Sequence, residues 1–129
     1  MEEFGKQIIA LNRSIRLWKE AVNEELRLSL RSAVVKDFEL AYELSWKAAQ
    51  ELAALEGQKV RKPKEALTFL LDTGVLTDTL LFEAIIDSRN RSVHTYGPAM
   101  LDSMLPAVVE DFSTLLALLH DALLRYHSK

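Results

Sequence analysis

The sequence predicts an all-α protein, specifically an antiparallel four-helix up-and-down bundle with a short extra helix. Four glycines and three prolines among 129 residues leave room for only a few turns. Apolar residues recur at alternating steps of three and four, which places them along one face of each helix. The sequence has no alternating strand pattern and no internal repeat. At this length we expect a single domain that spans residues 1–129.

The first two helices are predicted by two apolar stripes with a loosely placed turn between them. No glycine or proline separates them, so we expect the turn at about Leu26–Ser29. Gly57 is expected to end the second helix at about Glu56. The first stripe comprises Phe4, Ile8, Leu11, Ile15, Trp18 and Val22. The second comprises Val34, Phe38, Ala41, Ser45, Ala48, Leu52 and Leu55.

Three further helices follow. Pro63 suits the first turn of a short third helix that ends near Gly74. Thr77 is the expected cap of a fourth helix, which runs to about Tyr96. The fifth helix is expected to start after Pro98 and to continue to the C-terminus. Its stripe comprises Leu101, Leu105, Val108, Phe112, Leu115, Leu119, Ala122 and Tyr126.

The second helix carries more apolar surface than one packing seam requires. Val35, Tyr42, Trp46 and Ala49 form a second stripe beside the first. A helix that is apolar on two sides either lies at the centre of the bundle or contributes to a subunit interface. Both interpretations are open from the sequence.

Composition restricts the classes of function. Sixteen Lys and Arg against nineteen Asp and Glu give a net charge of −3, whereas general nucleic-acid binders are usually basic. A local basic cleft is still compatible with that balance. The chain has no cysteine, which fits a reducing compartment. The N-terminus lacks the pattern of a signal peptide, and the apolar runs are too short to span a bilayer, so we expect a cytoplasmic protein.

The residues 89–96, RNRSVHTY, form the most informative segment of the chain. They place Arg89, His94 and Tyr96 in an R-x4-H-x-Y arrangement near the end of the fourth helix, just before Gly97 and Pro98. A histidine can remove a proton from a ribose 2′-hydroxyl near neutral pH, and guanidinium groups can hold a phosphorane. The segment therefore indicates a phosphate-handling site without a metal or cofactor, and RNA is the expected substrate.

Helical geometry constrains how these residues meet. Positions five apart, such as Arg89 and His94, lie about 140° apart around the helix, whereas Asn90 and His94 share a face. A compact site then requires either that the long side chain of Arg89 curl round the helix or that a second subunit supply residues. The sequence also permits a purely structural interpretation, because Arg and His near a helix C-terminus are favoured by the helix dipole.

Two segments together resemble a known superfamily. Residues 38–47, FELAYELSWK, and residues 87–96, DSRNRSVHTY, are similar to HEPN proteins, and in particular to their nucleotidyltransferase substrate-binding branch. The similarity extends over nearly the whole chain. It implies a small helical bundle that forms a homodimer, with the motifs of both copies in one cleft and a minimal nucleotidyltransferase encoded nearby.

The resemblance also implies roles for individual residues. Many members of this superfamily are metal-independent endoribonucleases that act as toxins, and Arg89 and His94 match their catalytic pair. Asn90 matches the polar residue that often follows the Arg, and with Arg91 it is expected to position the substrate. Tyr96 matches a tyrosine that the partner enzyme modifies with adenylate in the toxin branch. An alternative role for the branch is a non-catalytic subunit that binds nucleotide or another substrate for the nucleotidyltransferase.

Other motifs are weaker. The nucleotidyltransferase signature, a phosphate-binding Gly-rich loop and paired Glu-x-x-His motifs are all missing from the sequence. His120 and His127 are seven residues apart, which is weak support for a metal site, and we predict no metal. Residues 59–64, KVRKPK, carry four cations in six residues. They form either a solvated turn or a contact for phosphate or an acidic partner.

Overall fold

A computed structural model describes residues 1–77, 80–94 and 97–128, with the backbone alone at positions 80, 81, 89 and 91–94. All of the secondary structure in these residues is helical, as the sequence predicts. The helices are α1 Glu2–Lys19, α2 Glu24–Leu55, α3 Pro63–Asp72, α4 Leu80–His94, α5 Pro98–Ala107 and α6 Ser113–His127. A π-helical turn, Val108–Phe112, joins α5 to α6, so these two form one interrupted helix.

The helices α1 and α2 form an antiparallel pair. The buried side chains of α1 are Phe4, Ile8, Leu11 and Ile15, four of the six residues of the predicted stripe. Asp37 of α2 accepts hydrogen bonds from Gln7 and Ser14 of α1. The N-terminal amine lies 4.0 Å from Glu51 at the other end of α2. The start of α1 therefore lies beside the end of α2.

The predicted position of the first turn was wrong. The turn occupies residues 20–23, ahead of Leu26–Ser29, and the side chain of Val22 is 88% exposed instead of continuing the first stripe. Asn23 caps α2 by accepting a hydrogen bond from the Leu26 amide at 2.8 Å. Glu24 and Glu25 follow in the first turn, where the helix dipole favours negative charge. The Asn23 cap, instead of a glycine or proline, therefore determines where α2 begins.

The helix α2 lies at the centre of the described structure, because it packs against α1, α3, α5 and α6. This explains its second apolar stripe. Val35, Tyr42 and Ala49 are at most 2% exposed within one chain, and Trp46 packs partly buried against the core while donating to Glu43 at 3.2 Å. The stripe is therefore filled by intramolecular packing, and it gives no support to the subunit-interface interpretation.

The short helix α3 begins at Pro63 as predicted, and Gly74 follows its end with a φ of +78°. Gly57 has a similar φ of +77° after α2. An L-residue with a side chain is strained in this left-handed region, so glycine suits both turns. Residues 78 and 79 lie outside the described residues, which leaves the predicted cap at Thr77 untested.

The last helix begins at Pro98 as predicted, but it is not regular. Pro106 has no amide hydrogen to donate within the helix, and the wider π-helical turn starts shortly after it. Arg31 pairs with Asp102, and Tyr126 bonds to Glu56, so the last helix runs parallel to α2. In an up-and-down bundle the fourth long helix runs parallel to the second, as this one does. Within the described residues no helix is both long and apolar enough to cross a membrane.

Candidate functional site

The helix α4, which carries the R-x4-H-x-Y segment, has one buried side and one exposed side. Phe82 and Ile85 are fully buried, and Ile86 and Ser88 are nearly so. The exposed residues Glu83, Asp87 and Asn90 follow a spacing of four and three, so they share one face. We call this surface the α4 solvent face. Among the described side chains of α4, this face is accessible to solvent and the opposite face is anchored in the core.

The predicted site residues lie at the end of this helix. Asn90 is exposed on the α4 solvent face, and the backbone of His94, four residues later, lies on the same face. The backbone of Arg89 follows Ile85 by four residues and so lies on the side of α4 that packs on the core. The side chains of Arg89, Arg91 and His94 lie outside the described residues, as does all of Tyr96. Positions 90 and 94 thus share a face, and positions 89 and 94 do not.

Two anchors hold the chain on either side of the site. On one side α4 packs against the π-helical turn, and Phe112 of that turn stacks on Phe38 of α2 with ring centroids 5.5 Å apart. On the other side Gly97 precedes α5, where the guanidinium of Arg31 from α2 donates to Asp102 at 2.7 Å. The central helix therefore supports the segment both before and after residues 95 and 96.

A groove of about 450 Å³ lies between α3 and α4. It extends along the α4 solvent face, because Glu83 and Asp87 belong to both. The sequence does not reveal this groove, because its two walls come from helices that are separate in the chain. Its lining residues are Lys64, Leu67, Thr68 and Leu71 of α3 with Glu83, Ile86 and Asp87 of α4.

The other two histidines lie on α6, away from the candidate site. The ring of His120 packs edge-on against Phe4, with centroids 5.3 Å apart and an angle of 82° between the planes. Its Nε2 atom lies 2.9 Å from where a Cβ on Gly5 would be, so a side chain at position 5 would displace the imidazole at this crossing of α1 and α6. His127 is exposed at the end of α6. The described residues contain no cluster of three or more His, Asp or Glu side chains that could hold a metal ion.

One ionisable group outside the site is clearly perturbed. The hydroxyl of Tyr126 in α6 donates to the carboxylate of Glu56 at 2.8 and 2.9 Å. This hydrogen bond, with a smaller contribution from burial and from the charge of Glu56, raises the pKa of Tyr126 above 10.0. The contact joins the end of α2 to the end of α6, so its role is structural.

Comparison with known proteins identifies the family. A crystal structure of a protein from Thermus thermophilus is similar, with a TM-score of 0.76 and 25% identity over 93% of this chain and 98% of that one. No curated protein matches the sequence significantly. The family model described as nucleotidyltransferase substrate binding protein like matches residues 1–125. The chain therefore belongs to the nucleotidyltransferase substrate binding protein-like family.

Proposed function

We propose that this chain is a HEPN-type, metal-independent endoribonuclease, the toxin of a cytoplasmic toxin–antitoxin pair with a minimal nucleotidyltransferase. The observation that carries the proposal is the segment of residues 89–96, which begins in the last turns of α4. Asn90 is accessible there, and the backbone of His94 lies on the same face. Folding alone does not require an Arg, Asn, Arg and His within six residues, and the same residues are suited to phosphate chemistry.

The proposed reaction is a transesterification within RNA. A general base takes the proton of a 2′-hydroxyl, whose oxygen then forms a bond to the adjacent phosphorus. The bond from phosphorus to the 5′-oxygen breaks, and a general acid gives that oxygen a proton. The products are a 2′,3′-cyclic phosphate and a free 5′-hydroxyl. His94 is the acid or the base, and it lies in the last turn of α4, where the dipole favours its protonated form.

The remaining residues of the segment have supporting roles in this proposal. The phosphorane carries more negative charge than the phosphodiester, and the guanidinium of Arg89 can bind it in a bidentate manner. Asn90 and Arg91 position the substrate. Because positions 89 and 94 lie on different sides of α4, two copies of the chain face each other and form one cleft with residues from both.

A second candidate function is favoured by the family itself. Its description names a substrate-binding protein, so the chain would bind nucleotide for a nucleotidyltransferase without cleaving anything. The same polar segment would then bind phosphate only. The two functions differ in a single measurable property, the chemical turnover of RNA by the isolated protein.

The test is cleavage of single-stranded RNA by the purified protein with a chelator of divalent metals present. We expect cleavage by the wild type, and a loss of about a hundredfold or more in His94→Ala and Arg89→Ala. His127→Ala is the matched control, because it removes an exposed histidine elsewhere, and it should cleave normally. If the wild type leaves RNA intact but stimulates the nucleotidyltransferase, the substrate-binding function is correct.

We also propose that Tyr96 is the point of regulation. An adenylate on its hydroxyl would add a negatively charged phosphodiester that can pair with Arg89 or Arg91, repel RNA and occupy the cleft. Co-expression with the neighbouring nucleotidyltransferase, followed by mass spectrometry of peptides, should find adenylate on Tyr96 and none in Tyr96→Phe. An unmodified Tyr96 in a fully inhibited complex would instead show that inhibition occurs by binding alone.

A further inference from the structure

The loop between α2 and α3 carries a concentrated positive charge. Lys59, Arg61 and Lys62 of the loop and Lys64 in the first turn of α3 are all exposed. Within the part of the chain that the structure describes, none of the four lies within 4.0 Å of a carboxylate. The whole chain has a net charge of −3, so this loop contrasts with the rest of the molecule. Unpaired cations in one place form a surface for a polyanion.

The loop is fixed in place by contacts with α2 and α3. Val60 is 6% exposed, so its side chain is part of the core. The side-chain amide of Gln50 donates to the Val60 carbonyl at 2.6 Å, and the Arg61 amide donates to Glu65 at 2.8 Å. A solvated turn requires none of these contacts. The backbone therefore presents the cations from a defined position, which lowers the cost of ordering them on binding.

The loop leads directly into the groove between α3 and α4. Lys64 follows the loop in the first turn of α3 and also lines the groove. Asp87 lines the opposite wall, and Asn90 follows one turn later on the α4 solvent face. A continuous surface thus connects the cationic loop, the groove and the end of α4.

The groove itself has a different chemistry from the loop. Leu67, Leu71 and Ile86 give it apolar walls, which suit the flat face of a nucleobase. The carboxylates of Glu83 and Asp87 repel phosphate but accept hydrogen bonds from the amino groups of a base. The two regions therefore complement the two parts of a nucleotide, with phosphate at the loop and base in the groove.

We propose that the loop and the groove form a binding tract for single-stranded RNA, which delivers the strand to the end of α4. One base occupies the groove, and the neighbouring phosphates contact Lys59, Arg61 and Lys62. This assignment rests on the proposed ribonuclease function and extends it, since it names a surface outside the R-x4-H-x-Y segment that determines how the substrate binds.

The test measures binding of a fluorescent single-stranded 2′-O-methyl RNA oligonucleotide, which lacks the nucleophile and cannot be cleaved. The loop variant Lys59→Gln/Arg61→Gln/Lys62→Gln should bind about tenfold more weakly. Its plot of log affinity against log salt should be shallower by about 2, since each phosphate contact on a single strand contributes about 0.7. The matched control Arg13→Gln/Arg16→Gln/Lys19→Gln removes three exposed cations of α1 and should keep the wild-type affinity and slope.

A second variant tests the groove. Thr68 is exposed on the α3 wall, so Thr68→Trp should fill the groove without disturbing the core. We expect weaker oligonucleotide binding with an unchanged salt slope, because no cation is lost. Circular dichroism of each variant verifies that the fold is intact.

The outcomes separate this proposal from the ribonuclease proposal. If the loop variant binds the oligonucleotide like the wild type, the tract is wrong, even where the wild type cleaves RNA. If binding depends on the loop but unmodified RNA is never cleaved, the tract stands and the ribonuclease function fails. If the loop variant keeps RNA affinity but loses the nucleotidyltransferase, the loop is a protein-docking surface and the tract is overturned.

Discussion

At the scale of single residues, the protein separates groups that stabilise the fold from groups available for chemistry. His120 packs on Phe4, and the hydroxyl of Tyr126 is occupied by Glu56. Asn90, by contrast, is exposed on a face that the fold does not need to bury. Residue type alone does not make this distinction, because His94, His120 and His127 all occur near or within helices. The packing around each side chain is what distinguishes the two kinds of group.

The contact between Tyr126 and Glu56 predicts a dependence of stability on pH. The pKa of Tyr126 is raised in the folded protein, so the contact stabilises the fold fully below the tyrosine's ordinary pKa of 10.0. That stabilisation is lost as pH rises through the folded-state pKa. Titration of tyrosinate absorbance, with Tyr126→Phe as the reference that identifies its contribution, should show that Tyr126 ionises above 10.0. Glu56→Gln should move this pKa back toward 10.0, whereas the exposed control Glu25→Gln should leave it unchanged.

At the scale of secondary structure, the elements show which structural features can be recognised from a short stretch of sequence. The apolar stripes of α1, α2 and the last helix predict most of the buried faces, since helical periodicity is a local property. They were wrong at two ends, where Val22 and Leu55 are 88% and 72% exposed. The start of α2 was predicted too late because the turn at residues 20–23 contains no glycine or proline. The readable signal is Asn23 followed by Glu24 and Glu25, a cap with an acidic first turn.

This cap predicts a measurable contribution to stability. Asn23 accepts the Leu26 amide at 2.8 Å, so Asn23→Ala leaves that donor without its partner. The expected cost is about 1 kcal/mol of unfolding free energy. Asn23→Asp preserves the acceptor and should be close to wild type. Urea denaturation monitored by circular dichroism measures both, with an unchanged m-value as the sign that only stability has altered. Equal stability of Asn23→Ala and wild type would show that the cap contributes nothing.

The π-helical turn gives a second prediction at this scale. Such a turn accommodates one residue more than a regular α-helix, so removing exposed Glu110 should convert it to α-helix. The side chains of α5 and α6 then keep their orientations, and the protein should fold. Deleting exposed Thr114 lacks this compensation. It rotates the following residues by about 100° and moves Leu116, Leu119 and Leu123 out of the core, which should unfold the protein.

Thermal unfolding of the two deletions is the measurement. A cooperative transition is expected for the Glu110 deletion, and none for the Thr114 deletion. Two deletions that are equally damaging would mean that the π-helical turn has a packing role of its own. Its contact with α4 and the stack of Phe112 on Phe38 are the interactions that would account for such a role.

At the scale of the whole molecule, the sequence predicts the parts of the site that lie on one helix. Residues 89–96 and their spacing are visible directly, and so is the shared face of Asn90 and His94. The groove between α3 and α4 was not predicted, because two apolar stripes do not reveal which of their residues leave a gap when the helices pack. The central position of α2 was likewise one of two interpretations, until Val35 and Ala49 proved to be buried within one chain.

A homodimer is the first prediction for the assembled molecule. With the second stripe of α2 buried, the dimer now rests on the separation of positions 89 and 94 around α4. Light scattering at micromolar concentration should give twice the chain mass of 14.6 kDa. A fully active monomer would contradict the shared cleft and require Arg89 to curl round its own helix.

Mixing two inactive variants tests whether the cleft is shared. In the proposed dimer each active centre takes Arg89 from one copy and His94 from the other. A mixed dimer of Arg89→Ala and His94→Ala then has one complete centre and one that lacks both groups. Random pairing makes half of the dimers mixed, so ribonuclease activity should recover to about a quarter of wild type. Each variant alone should be inactive. If the Arg and His of one chain act together, each chain in the mixture lacks one of them, and refolding the variants together should restore no activity.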